Sequence, residues 1–274
     1  GEQVMSEIYV LKELRVRLDS SSIPNALYQY KISCLKPKSL LFENDAIQIG
    51  MTASLVQDYA SSKNMLKLML YYGNKLLSDI TSFRVTLTEG LNLNVVSKPQ
   101  TVESTIASTK QVKQQLLISF SAAPFSSLQL NFEGLFGGTY AIHSFPLPNL
   151  LVKFMEFKYI EIDEFSYKWR GLQDETLKTE PIQLDSTVIK SAYDFKNYFS
   201  YLIDLKPKDE YEFVQGKKGI KFGGLIELDV PNIEYLLKIN VLPTNEVIFQ
   251  VATQRQNHAV ARYLLQTLVF LFRR

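Results

Sequence analysis

Two histidines, His143 and His258, are the only imidazoles the chain has for proton transfer near neutral pH. His143 sits in a stretch that alternates like a strand, and His258 opens the C-terminal helical pattern. Neither belongs to a nucleophile elbow or a metal-binding spacing, so both read as structural or surface residues. The carboxylates Glu161, Asp163 and Glu164 are a nominal source of the pair that glycoside hydrolysis needs. Crowded at a helix start, they read instead as macrodipole partners and solvated caps. The run Glu133-Gly134-Leu135-Phe136-Gly137-Gly138-Thr139 lacks the Gly-x-Gly-x-x-Gly spacing that cradles phosphate and reads as a hairpin turn. Gly216-Lys217-Lys218-Gly219 is too short between its glycines for a Walker loop and reads as a solvated turn. The single cysteine, Cys34, excludes an internal disulfide and any thiolate cluster, and it fits a reducing compartment such as the cytosol. No catalytic residue, metal or cofactor is expected from these groups. Trp169, the only tryptophan, lies among Phe165, Tyr167 and Lys168. It suits either a buried helical stripe or an amphipathic anchor for a bound peptide.

The elements that must position these groups belong to an ordinary folded protein. The chain has 274 residues, 46% hydrophobic and 21% charged, enough for one large domain or two small ones. A formal charge of +2 is too small for nucleic acid to be the default partner. The longest strongly apolar stretch, Tyr263 to Phe272, is about half of what a bilayer-spanning helix needs, so no membrane insertion is expected. Gly1 to Ser6 has no basic flank before an apolar run and does not read as a secretion signal.

Short alternating segments fill the first half: Leu27 to Cys34, Leu66 to Leu70, Phe83 to Leu87, Leu91 to Val95, Gln115 to Phe120, Leu128 to Phe132 and Tyr140 to Phe145. Gly73-Asn74 is expected to form a tight turn. Seven to nine strands without a convincing helix predict a sandwich of two antiparallel sheets over residues 1 to 148, including an N-terminal extension. After Leu147-Pro148-Asn149 the pattern becomes mixed α and β, over residues 149 to 274. It predicts a helix capped by Asp163 and a second capped by Ser186. Strands at Phe199 to Ile203 and Lys221 to Leu228 follow, then a hairpin of Leu236 to Val241 with Val247 to Ala252. An amphipathic helix from Asn257 to about Phe272 closes the chain.

Several short motifs together carry a resemblance. Leu41-Phe42-Glu43-Asn44, Gln48-Ile49-Gly50 and Tyr72-Gly73-Asn74-Lys75 resemble the first subdomain of the α-adaptin appendage, the ear of the endocytic clathrin adaptor's large α subunit. Lys153-Phe154, then Phe165 and Trp169 followed by Leu172, resemble the start of its platform subdomain. Leu236-Leu237-Lys238 and Ala259-Val260 resemble its closing hairpin and helix. The resemblance implies an immunoglobulin-like β-sandwich followed by an α/β platform. It also implies a non-enzymatic module, without cofactor, that captures short linear motifs in the disordered tails of endocytic accessory proteins. Such a module is joined by a linker to the remainder of the clathrin adaptor complex, acts as a monomer when isolated, and sits peripherally at cytoplasmic coated pits of the plasma membrane. The β-type ear and the coatomer γ ear share this architecture, but Leu-Phe-Glu-Asn and Tyr-Gly-Asn-Lys favour α. A hydrolase is the more distant alternative.

Two peptide sites follow from the resemblance. On the sandwich, a site for Trp-x-x-Phe motifs falls on Tyr71, Gly73, Asn74 and Gln111, with Tyr71 against the peptide aromatic and Gln111 on its backbone. On the platform, a site for Asp-Pro-Phe, Asp-Pro-Trp and Phe-x-Asp-x-Phe motifs falls on Trp169, Ser166, Lys238, Asn240, Gln250 and Gln254. Ser166 stands where the family has an aromatic, and Gln250 and Gln254 where it has arginines. Losing a bidentate fork for the motif's aspartate weakens a desolvated contact by about 1–3 kcal/mol. The expectation is therefore a platform with weakened or altered preference, as a divergent relative, a fungal one for instance, would show. Arg255 and Lys168 are the nearby cations placed to compensate.

Overall fold

The computed structural model describes residues 7–57, 64–96, 101–158, 160–190, 195, 219–226, 233–244 and 246–274. They fall into two compact units. One is Leu14–Lys153, and the other joins the residues up to Glu13 with Phe154–Arg274.

The first unit is a sandwich of two antiparallel sheets. β1 (Lys38–Glu43), β2 (Ile47–Gln57), β3 (Asn64–Asn74), β5 (Leu93–Val95) and β6 (Gln111–Phe120) form a five-stranded sheet in the order β1-β2-β3-β6-β5. β4 (Thr81–Thr88), β7 (Gln129–Phe136) and β8 (Thr139–Pro146) form the second, in the order β4-β7-β8. Period-two patterning assigns the faces. Leu66, Leu68, Leu70 and Tyr72 are buried, while Lys67, Met69 and Tyr71 on the same strand face outward. Aromatic rings join the sheets: Tyr72 meets Phe83 edge-on at 5.3 Å, and Phe42 meets Phe132 at 5.1 Å. His143 lies 5.0 Å from the Phe42 ring and 5.2 Å from the Phe132 ring, and burial pulls its pKa down, as for a neutral packing residue. The β7–β8 hairpin turns at Gly137 and Gly138, whose φ values of 58° and 82° suit residues without a Cβ. That turn agrees with the sequence reading.

Two helices interrupt the all-β expectation. α1 (Tyr9–Asp19) enters this unit with its second half, and α2 (Ala26–Leu35) occupies the stretch expected to be a strand. Alternation over Leu27–Cys34 requires Tyr28 and Tyr30 to share a face, yet Tyr28 is 44% exposed and Tyr30 only 5%. Tyr30, Ser33 and Cys34 are buried together at helical spacing instead. Pro24 and Asn25, the latter at φ 54°, turn the chain into the helix. Beneath α2 the Lys153 ammonium is buried and donates to the Lys36 carbonyl at 2.5 Å; burial lowers its pKa to about 8. Burial also pushes the Cys34 thiol up to about 12, so the lone cysteine is an inert core residue.

The second unit is a six-stranded antiparallel sheet. β9 (Met155–Lys158), β12 (Gly219–Ile226), β13 (Ile233–Val241), β14 (Glu246–Ala252) and β10 (Thr176–Lys178) run side by side, and β11 (Ile182–Gln183) also pairs with β14. α4 (His258–Phe272) covers one face, where Phe249, Phe272 and Phe195 cluster. An amphipathic stripe was the expectation for α4; the helix is buried on most of its circumference, including Tyr263, Leu265 and Leu271. α3 (Ile162–Gly171) packs on the other face through Phe165, which joins Leu236 and Ala252, with Trp169 and Leu172 against them. Glu161, not Asp163, holds the N-cap position of α3 and makes no side-chain cap bond. At Ser186 the chain makes a turn, held by the Asp185 carboxylate accepting from the Thr187 amide at 3.0 Å. The expected strand at Phe199–Ile203 and the turn at Gly216–Lys218 lie outside the described residues.

Candidate functional site

The outer face of the five-stranded sheet holds the first candidate. In the register Gly50 stands opposite Tyr71, and Tyr71 opposite Lys113; two pairs further on, Gln48, Gly73 and Gln111 align. Residues paired in this way share a face, so Tyr71, Gly73, Gln111 and Lys113 are brought together. Glycine beside Tyr71 on β2, and again two positions along β3, leaves its ring standing over bare backbone. Tyr71 is half-buried on this face, with glycine on two sides of it. Neither glycine has a positive φ, and a Cβ would meet nothing closer than 3.8 Å at Gly50 or 3.5 Å at Gly73. The fold therefore has room for a side chain at either position. The Lys113 ammonium lies 5.5 Å from the Tyr71 ring centre, and Gln111 is exposed.

Asn74 does not join them. Its side chain points inward, is 5% exposed, donates at 2.9 Å to the carbonyls of Ser78 and Ile106, and accepts from the Leu76 amide at 2.8 Å. It pins the 75–80 loop to the end of β3. The turn expected at Gly73-Asn74 begins only after Asn74, because both residues remain paired in the ladder. Period two was the available signal: Asn74 falls on the face of Leu70 and Tyr72. The same period points to Lys113, two residues after Gln111, which the sequence reading passed over.

The second candidate lies where α3 crosses the six-stranded sheet. Phe165 stacks on Trp169 with ring centres 5.8 Å apart, and the Lys238 ammonium sits 3.8 Å from the Trp169 ring centre. Asp163, Phe165, Ser166, Trp169, Arg170 and Lys238 line a shallow depression of about 490 Å³. Ser166 thus leaves open space where an aromatic would fill it. Asn240, Gln250 and Gln254 do not line this depression. Gln250 lies opposite Lys238 on the neighbouring strand, and the Gln254 side-chain oxygen Oε1 accepts from Gln256 Nε2 at 2.6 Å. Neither compensating cation is unencumbered: Lys168 pairs with Glu164 at 3.4 Å and Arg255 with Glu175 at 3.2 Å. His258 Nε2 also lies 3.2 Å from the Glu175 carbonyl oxygen, which ties it to that loop.

Charge returns by another route. The register places Lys221, Lys238, Gln250 and Lys178 in one row across β12, β13, β14 and β10. A row of lysines supplies positive potential without the planar fork of arginine. Among the described residues no group of three His, Cys, Asp or Glu side chains is placed to hold a metal ion. No described helix is long and apolar enough to cross a membrane.

Residues 37–140 match the family model of the adaptin C-terminal domain. Over 167 residues, 58% of this chain, the sequence is 27% identical to the AP-2 complex subunit alpha-2 of Dictyostelium discoideum. It is 26% identical over 160 residues to the AP-2 complex subunit alpha-1 of Arabidopsis thaliana. The chain spans only 16% and 15% of the length of these two relatives. Among solved structures the GAE domain of GGA2p from Saccharomyces cerevisiae aligns with a TM-score of 0.32 at 13% identity, over 40% of this chain and 93% of that one. The sandwich residues 37–140 are thus similar to an adaptin C-terminal domain, and the wider match is to part of AP-2 alpha subunits.

Proposed function

We propose that this chain is a non-enzymatic interaction module of a clathrin adaptor, recruiting accessory proteins through short linear motifs in their disordered tails. The observation that carries the reading is the Tyr71 slot: an aromatic wall, two glycines beside it, and Lys113 and Gln111 at its rim. Such a surface takes an extended peptide through one aromatic side chain and a backbone hydrogen bond from Gln111. Each contact is weak, and strength comes from several motifs on one tail. A Trp-x-x-Phe motif suits this slot.

The platform takes acidic-aromatic motifs with altered preference. Trp169 supplies the aromatic surface, and the lysine row draws a carboxylate toward Lys238 without the bidentate grip of an arginine. Joined to the rest of an adaptor, the module works at coated pits on the cytoplasmic face of the plasma membrane, as expected of a relative of AP-2 alpha subunits.

Amide NMR titration of the isolated chain with a Trp-x-x-Phe peptide and an Asp-Pro-Phe peptide tests both halves. The expected result is shifts around Tyr71 and Gln111 with the first and weaker shifts around Trp169 with the second. Silence toward both overturns the proposal. Micromolar or tighter binding of the Asp-Pro-Phe peptide, lost in Trp169→Ala, overturns the altered preference alone.

A further inference from the structure

A third concave surface lies within the first unit, shares no residue with either candidate site, and draws more than half of its lining from residues that precede the matched ones. The corner between α1 and α2 and the strands β1, β7 and β8 enclose a cavity of about 310 Å³. Arg17, Leu18, Ser20, Ser21, Ser22 and Ile23 line it from the corner, and Leu40, Leu41, Gln129, Ser144, Phe145 and Pro146 from the strands. The adaptin match starts at residue 37, so the corner lies outside the matched residues.

Leu40 and Leu41 are consecutive, and in a regular strand they would face opposite ways. The β1–β2 register breaks between Leu40 and Phe42, leaving Leu41 as the extra residue of a bulge. The bulge turns Phe42 into the aromatic core and lets both leucines line the cavity. With Leu18 and Phe145 they make an apolar floor. Over it stands Arg17, the only charged residue of the lining. Its guanidinium is exposed and has a single long contact, 3.5 Å to the neutral Gln129 side-chain oxygen, leaving most of its donors unused. No carboxylate lines the cavity. An apolar floor under one unpaired cation is complementary to a carboxylate set beside an aliphatic side chain.

We propose that this cavity is a third peptide site, taking a short partner segment in which an acidic residue neighbours a leucine or similar aliphatic residue. Arg17 receives the carboxylate, and Leu40, Leu41 and Phe145 hold the side chain. Ser21 and Ser144 lie at polar positions of the lining within the same site. Unlike the Tyr71 slot, it exists only where the helical corner is attached to the sandwich.

The test is an amide NMR titration of the full chain with acetyl-Asp-Leu-Leu amide and acetyl-Asn-Leu-Leu amide, repeated on Arg17→Gln, Leu41→Ala and Tyr71→Ala. The proposal expects millimolar or tighter binding of the aspartyl peptide, with shifts at Ile23, Leu41 and Ser144. It further expects a loss of about three- to fivefold with the asparaginyl peptide or in Arg17→Gln, as for an exposed charge contact. Leu41→Ala should weaken both peptides and Tyr71→Ala neither. Absence of shifts at these residues overturns the proposal, as does binding indifferent to Arg17→Gln. Shifts there with phosphatidylserine vesicles but with neither peptide also overturn it, in favour of a lipid surface.

Discussion

The Tyr71 slot and the Trp169 depression both present an aromatic ring to solvent, yet they are prepared in opposite ways. Tyr71 has Gly50 opposite it on one side and Lys113 on the other, the ammonium 5.5 Å from its ring centre. Trp169 is already engaged, with Lys238 over its ring at 3.8 Å and Phe165 stacked beside it. On the function proposed above, a peptide reaching Tyr71 meets no cation seated on the ring face, since Lys113 stands 5.5 Å from its centre. A peptide entering the depression must move Lys238 off the ring, and its own carboxylate is the group best suited to draw the ammonium away. The lesson is that an aromatic residue in a family position does not by itself define a site. What already covers the ring sets which ligand can reach it.

Three substitutions break or sharpen this contrast. The largest effect is expected from Asn74→Ala, which removes the side-chain partner of the Ser78 carbonyl and the Leu76 amide and leaves the Ile106 carbonyl with only the Ile80 amide. Urea denaturation should show a loss of about 2–4 kcal/mol. A loss below about 1 kcal/mol together with abolished peptide binding would make Asn74 a ligand contact and the slot larger than described.

Gly50→Val comes next. Its new Cβ finds the Ser39 carbonyl at 3.8 Å, an ordinary contact, so the fold should survive with stability changed by no more than about 1 kcal/mol. The branched side chain fills the space beside Tyr71, and calorimetry should show the Trp-x-x-Phe peptide weakened by about tenfold or more. Unchanged affinity would move the binding surface elsewhere on the sheet.

The smallest and most discriminating effect is expected from Lys238→Ala. Uncovering Trp169 should strengthen an uncharged aromatic peptide and weaken an acidic one, each by about two- to fivefold. Trp169 is the only tryptophan, so its emission follows both titrations directly. Changes of the same sign for the two peptides would remove Lys238 from the account of selectivity.

Much of this was legible before any coordinates. Alternation along Leu66–Leu70 and the β7–β8 glycine turn needed only local rules, and the β13–β14 hairpin was equally plain. The helical spacing of Phe165, Trp169 and Leu172 foretold which face α3 buries. The stretch 27–34 was misread because its composition satisfies both periods; burial of Tyr30 with Cys34, a tertiary matter, decides for the helix. The same limit applied to the platform. Opposite Gln250, the register brings Lys178 and Lys238 from strands far apart in sequence, and no motif of adjacent residues reveals that row. Asn74 could have been placed correctly, since strand parity alone sends it inward.

The bulge in β1 has a second effect, on what the sheet refuses. A strand at the end of a sheet invites another chain to pair along it, and long flat ends are where assemblies grow out of control. Here one end of the five-stranded sheet is β1, broken in register after Leu40 and accompanied by α2, and the other is β5, only three residues long. β1 therefore lacks a continuous regular ladder, and β5 pairs along only Ile118–Phe120 of β6. For a module proposed to gather disordered tails, the break in β1 makes that edge a poorer template for them to join as further strands.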